Sequence, residues 1–180
     1  MGTRGELLAE VTLLNKQLVG RYLVGFNDVT AVRQTPDLPN HVAWTLGHLA
    51  VTMHRVAALI EGEGAPGLPP KDLISGGGFA GSRDKGYIDA DAVAFGSRPE
   101  ERHDKYPTLA RCVEIFNNAC DRLAAAVRSC DEAALDRVVP FGSMQMPVWA
   151  LVARMAFHNG FHTGQIADLR RALGFRSIFS

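Results

Sequence analysis

Apolar residues recur at spacings of three and four along four stretches of the chain, which is the signature of helices with one face turned inward. The first stretch runs from Thr3 to Phe26, with Leu7, Val11, Leu14, Leu18 and Tyr22 as its inner stripe. Thr3 and Glu6 have capping-box spacing at its start. Asn27-Asp28 and then Pro36 and Pro39 break the pattern. Asn40 is the expected cap of a second helix that carries Val42, Leu46, Leu49, Met53, Val56 and Ile60 and ends at Gly62 and Gly64. The third opens at Pro107-Thr108, and its inner face is Leu109, Cys112, Val113, Phe116, Cys120, Leu123 and Val127. The fourth opens at Pro147, runs through Trp149, Leu151, Val152, Met155, Phe157, Ile166, Leu169 and Leu173, and closes at Gly174.

Two segments fall outside this period. Between residues 61 and 106, Pro69-Pro70, the run Gly76-Gly77-Gly78, Gly81, Gly86 and the polar stretch from Arg98 to Lys105 cannot supply a long apolar face. A connection of this size is unusual inside a compact domain and is generally functional or mobile. A short helix over Ala90 to Phe95 is the one element expected in it. The triple glycine lacks the Gly-x-x-x-x-Gly-Lys spacing of a phosphate loop and reads as flexible backbone. The stretch from Val138 to Pro147 reads as two short extended pieces about a glycine turn, and Asp131 or Asp136 brackets a further helical turn. Four long helices joined by one large crossover predict an all-α antiparallel four-helix bundle, one domain over residues 1–180.

Composition changes this picture only by exclusion. The chain has 180 residues, 47% hydrophobic and 21% charged, so it can bury a core without disulfides or a structural metal. Nineteen basic residues balance nineteen acidic ones. That removes the electrostatic footprint of a general nucleic-acid or membrane-surface binder. No apolar run is long enough for a membrane helix, and the first residues carry neither a secretory signal nor a myristoylation pattern. Cys112, Cys120 and Cys130 are odd in number and contain no Cys-x-x-Cys pair, which fits a reducing, cytoplasmic setting and small apolar core roles.

Candidate chemistry lies in the histidines. His158 and His162 stand four residues apart on the last helix, one turn apart on one face and within reach of a single metal ion. Such a pair also arises from two core or surface histidines. Gly160 between them costs about 1 kcal/mol of helix stability relative to alanine and leaves room for a neighbouring backbone. His48 sits amid the apolar face of the second helix, where a lone histidine is more often a satisfied core residue than a ligand. In a bundle, facing helices can bring all three imidazoles together as a metal site with an open position.

Trp44-Thr45-Leu46-Gly47-His48-Leu49-Ala50 and His158-Asn159-Gly160-Phe161-His162-Thr163-Gly164-Gln165-Ile166 together resemble the DinB/YfiT-like superfamily of metalloenzymes, with a Trp-x-x-Gly-His-Leu motif early and His-x-x-x-His-x-Gly-Gln near the carboxyl end. The stretches Phe95-Gly96-Ser97-Arg98-Pro99 and Tyr106-Pro107 are similar to the long connection of its larger members. The resemblance implies a four-helix bundle, often a homodimer, with a divalent metal, commonly zinc or nickel, held by His48, His158 and His162. It further implies a small-molecule substrate and a low-molecular-weight thiol as cosubstrate in S-transferases, or water in metal-dependent hydrolases. A non-catalytic, metal-retaining bundle associated with stress is the other class it leaves open.

Helical spacing names the neighbours of these histidines. Trp44, Thr45 and Thr52 lie near the face of His48 and are candidate substrate contacts, Trp44 reading more readily as core packing. Gln165, three residues past His162, is a candidate hydrogen-bond partner that fixes an imidazole tautomer, or a structural interhelical contact. His41 reads as a residue of the helix start; His54 and His103 point elsewhere. Asn159 stands where the His-Glu-x-x-His proteases keep their general base, so peptidase chemistry is not expected. Arg83, Asp84, Tyr87, Asp89 and Asp91 in the long connection read as solvated loop residues that could supply polar groups from above.

Overall fold

The computed structural model describes residues 4–76 and 82–179. Helix outweighs strand, 58% to 7%, and the fold is all-α. Four helices are long: α1 (Arg4–Tyr22), α3 (Val42–Glu61), α5 (Leu109–Arg128) and α7 (Val148–Ala172). Three are short: α2 (Asp28–Ala31), α4 (Ser82–Lys85) and α6 (Glu132–Asp136). Helix α1 packs on α5 and α7, and α3 packs on the same two helices. The buried apolar residues between them form one cluster, with Leu46, Leu49, Met53, Phe116, Leu123, Leu151 and Ile166 at its centre. Among the described residues no helix is long and apolar enough to cross a membrane.

The helix ends follow from local chemistry. Thr108 accepts the N–H of Arg111 at the start of α5, and Asp131 accepts that of Ala134 at the start of α6. The cap of α3 is His41 instead of Asn40: its Nδ1 accepts the N–H of Trp44 at 3.1 Å, so its proton sits on Nε2 and is donated to the Glu100 carbonyl. Gly62, with φ +88°, ends α3, and Gly174, with φ +75°, follows α7. The Thr3 member of the expected capping box lies outside the described residues.

The apolar stripe of α1 is turned the other way from expectation, whereas that of α7 is buried as expected at Leu151, Val152, Met155, Ile166 and Leu169. In α1 the buried positions are Gly5, Ala9, Thr12 and Val19, while Leu7 and Leu14 are 66% and 51% exposed. Periodicity marked a stripe, but α1 is apolar on more than one side, and the smaller residues allow the closer approach to α5 and α7. In α7, Trp149 and Phe157 lie outside the core.

The long connection is ordered by side chains that reach it from α5. Arg111 donates to the carbonyls of Lys71 and Gly86 and to the buried carboxylate of Asp72, which also accepts from Asn118. Arg122 holds Glu61 and the carbonyl of Gly67. Two strands, β1 (Leu73–Ile74) and β2 (Ile88–Asp89), pair in parallel. No helix forms over Ala90 to Phe95; that stretch is a succession of turns. Tyr87 and Asp89 are buried, not solvated. Of the glycine run, Gly77, Gly78 and Gly81 lie outside the described residues. The hairpin forms as expected, with β3 (Val138–Phe141) and β4 (Met144–Pro147) antiparallel about Gly142, φ +61°.

Candidate metal centre

The centre is built where α3 and α7 face each other. His48 projects from the middle of α3, and His158 and His162 from successive turns of α7. Their Nε2 atoms converge: His158 Nε2 lies 3.2 Å from that of His48 and 3.2 Å from that of His162. All three ligand atoms fall within 4.8 Å of one another. A tetrahedral ion with metal–nitrogen bonds of about 2.0–2.1 Å holds its ligand nitrogens about 3.3–3.4 Å apart. The spacing is that of a ligand set.

Tautomers strengthen the point. His48 Nδ1–H donates to the Val93 carbonyl at 2.8 Å. His162 Nδ1–H donates to Gln165 Oε1 at 2.8 Å, and that oxygen also accepts from Asn40 Nδ2 at 3.0 Å. With the protons fixed on Nδ1, the Nε2 atoms of His48 and His162 both carry lone pairs, and both face His158. His158 Nδ1 is buried without a partner. One proton on His158 could satisfy at most one of its two neighbours; a cation between the rings satisfies all three.

The electrostatics agree. Burial holds all three imidazoles below their ordinary pKa, and repulsion from neighbouring rings adds to it at two of them: His158 is pushed down to about 3 and His162 to about 4. His48 is lowered by burial and by Arg55, against the hydrogen bond to Val93. At neutral pH the rings are uncharged, the form that binds metal.

The long connection has its role here. Trp44 stacks on His48, ring centroids 4.7 Å apart and planes within 9°. Its Nε1 donates to the Ala92 carbonyl and to Ser97 Oγ. Between them Gly47 permits close approach: a Cβ there would stand 3.0 Å from Val93 Cγ1 and 3.1 Å from Ile88 Cγ2. The missing side chain lets the 88–97 segment settle on α3 and present the Val93 carbonyl to His48. At Gly160, where room for a neighbouring backbone was expected, a Cβ would meet nothing within 4 Å.

A cavity of about 400 Å³ opens on the centre, lined by His48, His158, Thr52, Arg154, Met155 and four phenylalanines, Phe95, Phe141, Phe157 and Phe161. Of the three residues expected to touch a substrate, only Thr52 lines it, and its hydroxyl donates back to the His48 carbonyl at 2.8 Å. Trp44 lies behind His48, and Thr45 is buried in the core. Asn159 is buried too, its amide on the Met53 sulfur, so it does not line the cavity. His41, His54 and His103 stand apart from the centre. Arg83, Asp84, Tyr87, Asp89 and Asp91 are likewise absent from the wall, and among the described residues no carboxylate lines it. The aromatic walls escaped sequence reasoning because Phe95 and Phe141 come from the connection and the hairpin. Arg154 and Phe161 were within its reach: they lie four before and three after His158, on one helical face.

The chain matches the family model of the DinB superfamily over residues 15–166. It belongs to the DinB superfamily. The matched span takes in all three histidines and the whole long connection. Comparison with curated proteins returns no match. In this DinB chain the two motifs are one construction: Trp44, Gly47 and His48 meet the connection, while His162 and Gln165 meet Asn40 at the start of α3.

Proposed function

We propose that this chain is a metal-dependent enzyme in which His48, His158 and His162 hold a divalent ion, zinc or nickel, beside a cavity that admits a small electrophile. The observation that carries this is the convergence of three uncharged imidazoles, two with fixed Nδ1–H tautomers, beside an open apolar cavity that His48 and His158 line. A bound divalent ion would supply Lewis acidity, lowering the pKa of a thiol or water at its open position. Trp44, Val93 and Gln165 orient the imidazoles, and the phenylalanines make the cavity wall apolar. A thiolate is the softer and more polarizable nucleophile toward a small electrophile, and no carboxylate lines the wall among the described residues to relay protons for a hydrolysis. That favours thiol-dependent S-transfer over hydrolysis, with a low-molecular-weight thiol as cosubstrate.

The packing of α1 and α3 against both α5 and α7 supports an antiparallel four-helix bundle. The uncovered Leu7 and Leu14 of α1 supply apolar surface for the homodimer that the family resemblance implies. A cytoplasmic location fits the free thiols. A non-catalytic, metal-retaining bundle would close its site to solutes, and the cavity on His48 and His158 speaks against that.

Elemental analysis of untagged protein, beside the His158→Ala/His162→Ala double variant, tests the reading. We expect one equivalent of zinc or nickel in the parent and none in the variant. Absence of stoichiometric metal under replete conditions overturns the proposal.

A further inference from the structure

The cavity wall is chemically lopsided. Among the described residues four of its nine are phenylalanines, and the one permanently charged side chain is Arg154. Arg154 stands one helical turn before His158, so it shares that ligand's face of α7. Among the described residues it makes no hydrogen bond and no ion pair, whereas Arg4, Arg111, Arg122 and Arg128 each hold a carboxylate. The aromatic rim is equally unspent: Phe95, Phe157 and Phe161 are 95%, 74% and 55% exposed. A guest that covers them removes apolar surface from water, at about 25 cal/mol per Å².

A second cavity adjoins the first and shares Phe95 and Phe141 with it. Among the described residues its one charged lining residue is Arg55, which likewise lacks a partner there. Among the described residues the charged side chains on the two walls are thus both arginines, and no acidic side chain lies on either wall to offset them.

From this we propose that the cavity recognises an organic carboxylate with an apolar, aromatic-sized body, and that Arg154 is the residue that selects its anionic end. The guanidinium meets a carboxylate through two parallel N–H donors, a geometry that neither a neutral alcohol nor an amine reproduces. The phenylalanines take the body. The inference rests on the reading of this cavity as the substrate site. The carboxylate belongs either to the electrophile or to the thiol; the chemistry at Arg154 is the same.

The test is direct binding by titration calorimetry of 3-phenylpropionate, 3-phenylpropanol and 3-mercaptopropionate, each to zinc-loaded and to chelator-treated full-length protein. Arg154→Met keeps the length of the stem and removes the donors; its melting temperature checks that the fold stands. In the parent we expect at least one of the two acids to bind roughly tenfold more tightly than the alcohol, and Arg154→Met to abolish that preference, a charge-assisted pair being worth about that factor. Arg154→Lys should restore part of it. The arylalkanoate alone obeying this pattern assigns the carboxylate to the electrophile; the mercapto acid alone assigns it to the thiol. Equal affinity of acid and alcohol overturns the proposal. So does a preference that survives Arg154→Met and vanishes on chelation, because the ion and not Arg154 would then hold the anion. Since the preference is also read without metal, a failure to find stoichiometric metal stays separate from a failure here.

Discussion

Gly47→Ala puts the link between the long connection and the metal centre under load. In the interior of a helix this exchange gains about 1 kcal/mol from propensity alone. Here the new methyl would lie 3.0 Å from Val93 Cγ1 and 3.1 and 3.3 Å from two carbons of Ile88. Neither neighbour can swing into solvent: Val93 and Ile88 are fully buried, and Ile88 is held in the β1–β2 ladder opposite Leu73. The yield must come from the backbone of residues 88–93, which carries the carbonyl that binds His48 at 2.8 Å. Overpacking of this kind costs about 1–3 kcal/mol, so the net change is a destabilisation of about 0–2 kcal/mol. Loss of an outer-shell partner of a ligand histidine typically weakens metal affinity about 10–100-fold. Thermal melting of the metal-free protein and zinc competition against a chromophoric chelator measure the two effects separately. Gly47→Ala/Val93→Ala returns the space and should recover most of the affinity. A Gly47→Ala protein that melts higher than the parent and binds zinc equally well refutes the reasoning.

Two further outcomes follow from the same geometry. Gln165→Leu leaves His162 Nδ1–H and Asn40 Nδ2 without their shared acceptor, and should weaken zinc binding by about 10–100-fold, with Gln165→Glu retaining it; unchanged affinity in the leucine variant would remove Gln165 from the centre. Burial lowers His41, His54 and His162 to about 4 and His158 to about 3, against 6.5 in the unfolded chain. The unfolded state thus binds more protons between these values, so the stability of the metal-free protein is fully present above about pH 6.5 and falls toward pH 4. Chemical denaturation at pH 7.5, 6.5 and 5.5 checks it, a stability that stays level across that range being the contrary result.

What the sequence disclosed about the centre was its local part. Residues on one helix keep fixed angular relations, so His158, His162 and Gln165 could be placed on one side of α7 by counting. The assembly of His48 with that pair is a tertiary event, legible only because the motif on α3 resembled a family. The same counting misjudged α1, since a stripe of Leu7, Leu14 and Leu18 satisfies the helical period whether it faces the core or the solvent, and only packing on α5 and α7 chooses the side of Ala9 and Val19.

The position of Trp44 has a different origin and says more about the design. Spacing places Trp44 near the face of His48, but spacing does not reveal that the 88–97 segment lies across α3. Once it does, Trp44 and Gly47 act on opposite aspects of one problem: the indole stacks on the imidazole and anchors the segment through the Ala92 carbonyl and Ser97, while the absent side chain at Gly47 admits it. The connection then returns two things, the Val93 carbonyl that fixes the His48 tautomer and the Phe95 ring that forms part of the cavity. A segment with no periodic face of its own thereby joins the orientation of a ligand to the shape of the pocket. That coupling explains why so much of the chain outside the long helices can be kept in an extended, glycine-rich connection without loss of a defined centre.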